Sequence, residues 1–168
     1  MRWAIPLLLT SSVLVTSHCF SAEQKRRIHH LALGAGVFNI VRTHDTQFQF
    51  QMEYRWDIGI YNLRPLLSLM GTEKGTLYVC GGLGWDIFLG KHFVLTPSFA
   101  PGLYSKGGGK SLHYPLEFRS SIELAYIFKD KARAGAQFYH ISNASLGHKN
   151  PGTECLIFFY SFPIRRYR

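Results

Sequence analysis

Three residue types near the C-terminal end of the chain have the spacing needed to act together in one reaction. His140 and Ser142 are two residues apart, and Glu154 follows twelve residues after the serine. Side chains two residues apart in a β-strand lie on one face, and the turn-forming residues 147–152 allow Glu154 to return on the next strand. A hydroxyl, an imidazole and a carboxylate are the nucleophile, base and orienting group of a serine hydrolase triad. The spacing therefore predicts a triad built from two adjacent strands.

The beginning of the chain has the features of a secretory signal peptide. One arginine precedes an apolar run over 3–15, and Cys19 and Ser21 are the small residues expected before a cleavage site. The run is short for a membrane-spanning helix, which needs about 20 apolar residues. We therefore predict a cleaved signal peptide over 1–21 and one mature domain over 22–168.

The charge and the cysteine content narrow the classes of partner and site. The net charge of +9 favours a polyanionic partner, and for an exported chain anionic lipid or glycan is a better candidate than nucleic acid. Only Cys80 and Cys155 remain after the signal peptide, and two cysteines are not a disulfide framework. Two separate buried residues are the favoured interpretation, with a disulfide left open, and no spacing indicates a metal site or a cofactor.

The mature chain alternates between apolar and polar residues with a period of two. Over 47–56, aromatic residues and one methionine occupy the even positions, and glutamine, glutamate and arginine occupy the odd ones. Such alternation is typical of β-strands. The predicted strands are about 31–41, 47–57, 62–71, 76–89, 93–104, 116–128, 133–142 and 153–162.

The composition of the two faces favours a membrane barrel over a soluble sandwich, which would also alternate. Aromatic residues make up 15% of the chain and concentrate on the apolar faces, while the opposite faces carry charges and amides, as in a polar barrel interior. Eight is a common even strand number for outer-membrane barrels, and closure leaves no unpaired edge in lipid. We predict an all-β, eight-stranded antiparallel transmembrane β-barrel of the bacterial outer membrane.

This topology predicts the position of the three candidate residues. Both termini of such barrels lie in the periplasm, so the connection 143–152 is extracellular and the three residues lie at the level of the outer leaflet. Odd-numbered and even-numbered positions of a strand lie on opposite faces. By this parity, His140 and Ser142 share the face of Phe138, and Glu154 shares the face of Leu156, which is the lipid side. Polar side chains facing lipid are costly, and a lipid substrate accounts for three of them together.

Several segments resemble the PagL-type lipid A 3-O-deacylases. These segments are FRSSIELAY (118–126), HISNA (140–144), NPG (150–152), Glu154 and YSFP (160–163), and LGAGVFN (33–39) is similar to the first strand of the family. The resemblance implies hydrolysis of the ester-linked 3-hydroxyacyl chain at position 3 of lipid A by a triad of Ser142, His140 and Glu154, without a metal or other cofactor. It also implies that Asn143 and Asn150 support the active site and the oxyanion hole.

Basic residues in the predicted extracellular connections are candidates for contacts with the phosphates of lipid A. They are Lys106, Lys110, His148 and Lys149, and a solvated basic rim is the alternative interpretation. The expected partners are lipopolysaccharide in the outer leaflet and the membrane itself, without nucleic acid, and a homodimer is left open.

Two other functions remain open from the sequence. One is a non-enzymatic barrel of the structural or adhesion type. The other is an outer-membrane phospholipase; those enzymes also use a His-x-Ser pair, but with asparagine as the third member, twelve strands and calcium.

Overall fold

The structure is a computed structural model that describes residues 27–41 and 45–166. The predicted signal peptide, 1–21, lies outside these residues. Within the described ranges no helix is long and apolar enough to cross a membrane.

The described residues form one antiparallel sheet that closes on itself. Its strands are β1 (Arg27–Phe38), β2 (Gln47–Arg55), β3 (Leu63–Thr72), β4 (Leu77–Trp85), β5 (Ile87–Leu89), β6 (Phe93–Ser105), β7 (Leu116–Ile127), β8 (Arg133–Ser142) and β9 (Thr153–Arg166). Because β4 and β5 both pair with β6, they are two parts of one barrel strand, interrupted at Asp86. Strand β1 pairs with β9, which closes an eight-stranded barrel and confirms the predicted fold class.

The alternation in β2 shows why these residues form a barrel with an apolar outside. Burial alternates along this strand, with Phe48 and Phe50 exposed and Gln49 and Glu53 buried in the interior. The same alternation recurs in β3, β7 and β8. The barrel therefore shows a hydrocarbon-like surface to its surroundings and a polar interior.

Buried ion pairs fill the barrel interior. Arg55 joins Glu53 to Glu123, and Arg119 Nη2 donates to Glu53 Oε2 over 2.6 Å. These partners come from β2 and β7, on opposite parts of the barrel wall. The pairs therefore connect the two sides of the barrel through its interior. Removing one member of a buried pair costs about 3–5 kcal/mol, so these pairs contribute to the stability of the closed barrel.

Both described cysteines are buried free thiols. Cys80 and Cys155 point into the barrel from β4 and β9, as the parity of their strands predicts, and no disulfide joins them. The favoured interpretation, two separate buried residues, is confirmed.

The first and last strands are longer than the alternation predicts. Strand β1 begins at Arg27 rather than at about 31, and β9 continues to Arg166 rather than ending at about 162. The two extensions pair with each other, with His30 opposite Pro163. Charged and histidine residues at the start of β1 and a proline in β9 interrupt the alternation of apolar and polar residues, so the pattern does not predict these strand ends. Pairing between the two strands determines where they lie.

Candidate active site

Two of the three predicted site residues, His140 and Glu154, come into contact where β8 ends and β9 begins, and Ser142 is the last residue of β8. His140 and Glu154 are directly opposite each other in the register of these strands, and His140 Nδ1 lies 3.1 Å from Glu154 Oε1. The intervening residues Ile141 and Cys155 are fully buried in the interior. The strand pleat therefore turns His140, Ser142 and Glu154 to the outside of the barrel, as parity predicts.

The imidazole is both oriented and accessible. The side chains of His140 and Glu154 are 44% and 25% exposed, so a molecule against the outer wall can reach them. When Nδ1 carries the proton and donates it to the carboxylate, Nε2 is left as a proton acceptor. This is the tautomer that a base for a serine hydroxyl requires.

Ser142 lies on the same outer face, one pleat beyond His140. Among the residues that the structure describes, its hydroxyl makes no hydrogen bond. Rotation about one side-chain bond moves a serine oxygen between staggered positions, and catalytic contacts often close only when substrate binds. Ser142 is therefore a free hydroxyl beside an oriented imidazole.

Gly152 holds the His140 ring from the side of the loop. A Cβ atom at this position would lie 2.7 Å from Cε1 and 3.1 Å from Nε2 of His140, and the glycine has a φ of +55°. Both the conformation and the close approach favour a residue without a side chain. The ring is thus confined between the Glu154 carboxylate and the backbone of Gly152.

Substituting Gly152 with alanine is expected to displace the His140 ring and to lower kcat about 100-fold, since a shift of about 1 Å in a reacting group has an effect of this size. The measurement is ester hydrolysis by the purified, folded barrel. Gly75→Ala is the matched control, because Gly75 also has a positive φ but nothing lies within 4 Å of its Cβ position. Equal activity of the two variants would contradict this role of Gly152.

Asn143 organises the loop between β8 and β9. Its side chain is fully buried, and Nδ2 donates to the carbonyls of Leu112 and Lys149 over 3.0 and 2.9 Å. Its Oδ1 accepts from the backbone N–H of Ser145 over 3.0 Å. Because both amide hydrogens are used, the Asn143 side chain supports the site by fixing the loop and has no proton left for a ligand.

Asn150 has the free donor that Asn143 lacks. Its Oδ1 accepts the backbone N–H of Asn143 over 3.1 Å, which settles which end of the amide is oxygen. Within the described ranges its Nδ2 makes no hydrogen bond, and the residue is exposed. Asn150 thus presents an N–H₂ group from a fixed position in the loop between β8 and β9.

The predicted basic residues lie in loops at the same end of the barrel, but in different surroundings. His148 and Lys149 are exposed in the loop between β8 and β9, and Lys106 is exposed after β6. The Lys110 ammonium instead donates to Asn39 Oδ1 over 2.8 Å. Three of the four side chains are therefore open to an anionic ligand, while Lys110 is engaged within the loops.

Ser120 is a polar residue of the same outer surface that is not among the predicted site residues. It is exposed, and it lies opposite His140 in the register of β7 and β8, while Phe118 lies opposite Ser142. The signal is present in the sequence, because Ser120 has the same parity as the apolar Phe118 and Ile122. The alternation in β7 predicts an apolar, outward residue at position 120, so a serine there is the signal that could have identified it.

The described residues contain no group of three histidine, cysteine, aspartate or glutamate side chains that could hold a metal ion. His140, Ser142 and Glu154 all face outward on the barrel wall, and His140 contacts Glu154. A closed eight-stranded barrel with a polar interior and an apolar outside is typical of outer-membrane β-barrel proteins.

The comparison with protein families agrees with this class. The family "Lipid A 3-O-deacylase (PagL)" matches residues 46–163. The chain therefore belongs to the lipid A 3-O-deacylase (PagL) family, whose members are hydrolases that act on lipid A. No curated protein sequence matches the chain.

Solved structures similar to the chain share its barrel fold. The outer-membrane enzyme PagL is 18% identical, covers 80% of this chain and 99% of its own, and has a TM-score of 0.64. Neisserial surface protein A is 9% identical, with coverages of 79% and 94% and a TM-score of 0.61. A de novo designed transmembrane β-barrel is 7% identical, with coverages of 84% and 98% and a TM-score of 0.60.

Proposed function

We propose that this protein hydrolyses the ester-linked 3-hydroxyacyl chain at position 3 of lipid A in lipopolysaccharide, with a triad of Ser142, His140 and Glu154. The observation that carries the proposal is the 3.1 Å contact between His140 Nδ1 and Glu154 Oε1 on the outside of the barrel. Polar groups there are costly in lipid. A reaction on an acyl chain that lies against the barrel wall accounts for polar side chains at this costly position.

The reaction follows from the chemistry of the three groups. Ser142 Oγ attacks the ester carbonyl carbon while its proton passes to His140 Nε2. The tetrahedral intermediate collapses when the C–O bond to the sugar breaks and His140 protonates the leaving sugar oxygen. Water, activated by the same imidazole, then attacks the acyl-serine ester and releases the hydroxy fatty acid and free Ser142. Throughout, Glu154 stabilises the imidazolium.

The oxyanion of the intermediate needs donors that are already in place. Asn150 Nδ2 is the candidate, because its oxygen is tied to the backbone of Asn143 and its hydrogens have no partner among the described residues. A preorganised donor of this kind is worth about 2.7–4 kcal/mol in the transition state. Asn143 acts indirectly, by holding the loop that presents Asn150.

The membrane position of the site follows from the topology of outer-membrane barrels. With both termini in the periplasm, the end of the barrel that carries 143–152 faces the cell exterior. The triad then lies in the outer leaflet, where lipid A is found. Lys106, His148 and Lys149 lie at this end and are suited to the phosphates of the headgroup. The protein acts without a cofactor, and the account holds for a monomer or a homodimer.

The test is hydrolysis by the purified barrel in detergent, with lipid A and a phosphatidylethanolamine offered separately, each with calcium and with a calcium chelator. We expect release of a 3-hydroxy fatty acid from lipid A and none from the phospholipid. Hydrolysis that requires calcium and favours the phospholipid would point instead to the phospholipase alternative. A folded barrel that is inactive on both lipids would favour the structural alternative.

A further inference from the structure

Ser120 is a polar residue on the outer wall with no structural task in the described part of the chain. It is exposed, and its hydroxyl makes no hydrogen bond there. Serines that face inward behave differently, since Ser121 Oγ lies 2.6 Å from Ser98 Oγ. A hydroxyl that faces hydrocarbon without a hydrogen-bond partner loses its hydration without compensation, so a ligand that offers Ser120 a hydrogen bond would be favoured.

Apolar side chains surround Ser120 on the other sides. Phe99 of β6 lies opposite it, and the Phe99 and Phe118 rings stack with centroids 5.9 Å apart and planes 12° apart. One pleat further along β7, Ile122 is 50% exposed. Among Phe99, Phe118, Ile122 and His140, Ser120 is the smallest side chain, and it is exposed.

We propose that Ser120 determines specificity by hydrogen-bonding the β-hydroxyl group of the bound 3-hydroxyacyl chain. The inference rests on the proposed function and deepens it, because it names the feature of the acyl chain that the site reads. Ser120 takes no part in bond making or breaking in this account. It selects hydroxylated acyl chains over plain ones of the same length.

The geometry of the strands places the hydroxyl within reach. Ser142 lies opposite Phe118, so Ser120 is its diagonal neighbour, at a distance of about 7–8 Å between Cα atoms. In a 3-hydroxyacyl ester the β-hydroxyl oxygen is three bonds from the carbonyl carbon, or about 3–4 Å away. When an acyl chain runs from Ser142 toward the middle of the membrane, its β-hydroxyl is the first polar group beyond the ester. This group passes close to Ser120.

The direction of the chain follows from the same topology. Strand β7 runs from the end that carries the triad toward the opposite end, so Ser120 lies deeper than Phe118 and level with His140. The sugar of lipid A stays at the membrane surface. The carbons next to the carbonyl must therefore descend along the wall over Ser120 and then meet the apolar Ile122 and Phe138.

The experiment uses two synthetic lipid A molecules that differ only in the β-hydroxyl of the acyl chain at position 3. We expect the wild-type barrel to prefer the hydroxylated lipid about three- to tenfold in kcat/KM, the contribution of one neutral hydrogen bond. Ser120→Ala is expected to abolish this preference by slowing the hydroxylated lipid alone. Ser121→Ala, the inward neighbour, is the matched control and is expected to keep the preference.

Three results would overturn the inference while leaving the proposed function in place. These are an active wild type without a preference, a Ser120→Ala variant that keeps the preference, and a Ser120→Ala variant that slows both lipids equally. The last result would mean that Ser120 contributes to the hydrolysis of both lipids and not to the choice between them. A folded wild type that hydrolyses neither lipid contradicts the proposed function itself, and the inference falls with it.

Discussion

Replacing Ser142 with alanine is expected to lower kcat on lipid A by at least about 1000-fold, as loss of the nucleophile does in serine hydrolases. The folded barrel should be unaffected. Ser142 is on the outer wall at the last position of β8, and within the described ranges its hydroxyl bonds to nothing. The variant therefore separates chemistry from folding more cleanly than any change in the barrel interior.

The matched control for this variant is Ser145→Ala. Ser145 is an exposed serine of the same loop, and the contact it makes with Asn143 uses its backbone N–H rather than its hydroxyl. We expect it to keep wild-type activity. Activity of the Ser142→Ala barrel together with inactivity of the Ser120→Ala barrel would move the nucleophile to Ser120, the other hydroxyl beside His140.

Replacing Glu154 with glutamine is expected to lower kcat about 100- to 10,000-fold, although the two side chains have nearly the same shape. The amide loses the negative charge that stabilises the imidazolium, and its N–H₂ group can turn toward Nδ1 and favour the wrong tautomer of His140. Activity measured over a range of pH should stay low throughout, because no pH restores the carboxylate.

Glu73→Gln provides the control for loss of a carboxylate at this end of the barrel. Glu73 lies in the turn between β3 and β4, where its Oε1 accepts the backbone N–H of Phe48 over 3.3 Å. It is remote from His140 in the strand order, so full activity is expected. Full activity of Glu154→Gln as well would show that His140 does not depend on its neighbour.

The barrel could be predicted from the sequence because its alternation is physically required. Each strand must show apolar groups to the outside and polar groups to the interior, so the pattern in 47–56 survives in the folded protein without change. The same rule placed His140 and Ser142 outside. It failed at Arg27–His30 and at Pro163–Arg166, where neighbouring strands rather than periodicity stabilise the structure.

The contact between His140 and Glu154 could not be predicted from spacing alone. A loop over 143–152 permits several registers of β8 against β9, and each register would place a different residue opposite His140. The observed register is accompanied by the buried amide of Asn143, its bond to Asn150 and the positive φ of Gly152. These features depend on tertiary contacts, among them one with Leu112 in a distant loop.

The partners within the barrel interior were also beyond sequence analysis. Parity shows that Glu53, Arg55 and Glu123 point inward, but not which of them meet across the lumen. Arg55 and Glu123 are 68 residues apart in the chain and nevertheless form a bidentate pair. Such pairings depend on barrel closure and strand tilt, which alternation does not encode.

The most direct measurement is mass spectrometry of lipid A from a Gram-negative host that expresses the wild-type chain or its Ser142→Ala variant at equal levels in the outer membrane. We expect the wild type to remove one 3-hydroxyacyl chain, from position 3, and the variant to leave lipid A intact. Intact lipid A in cells that contain folded wild-type barrel would contradict the account, as would loss of the acyl chain in cells with the variant.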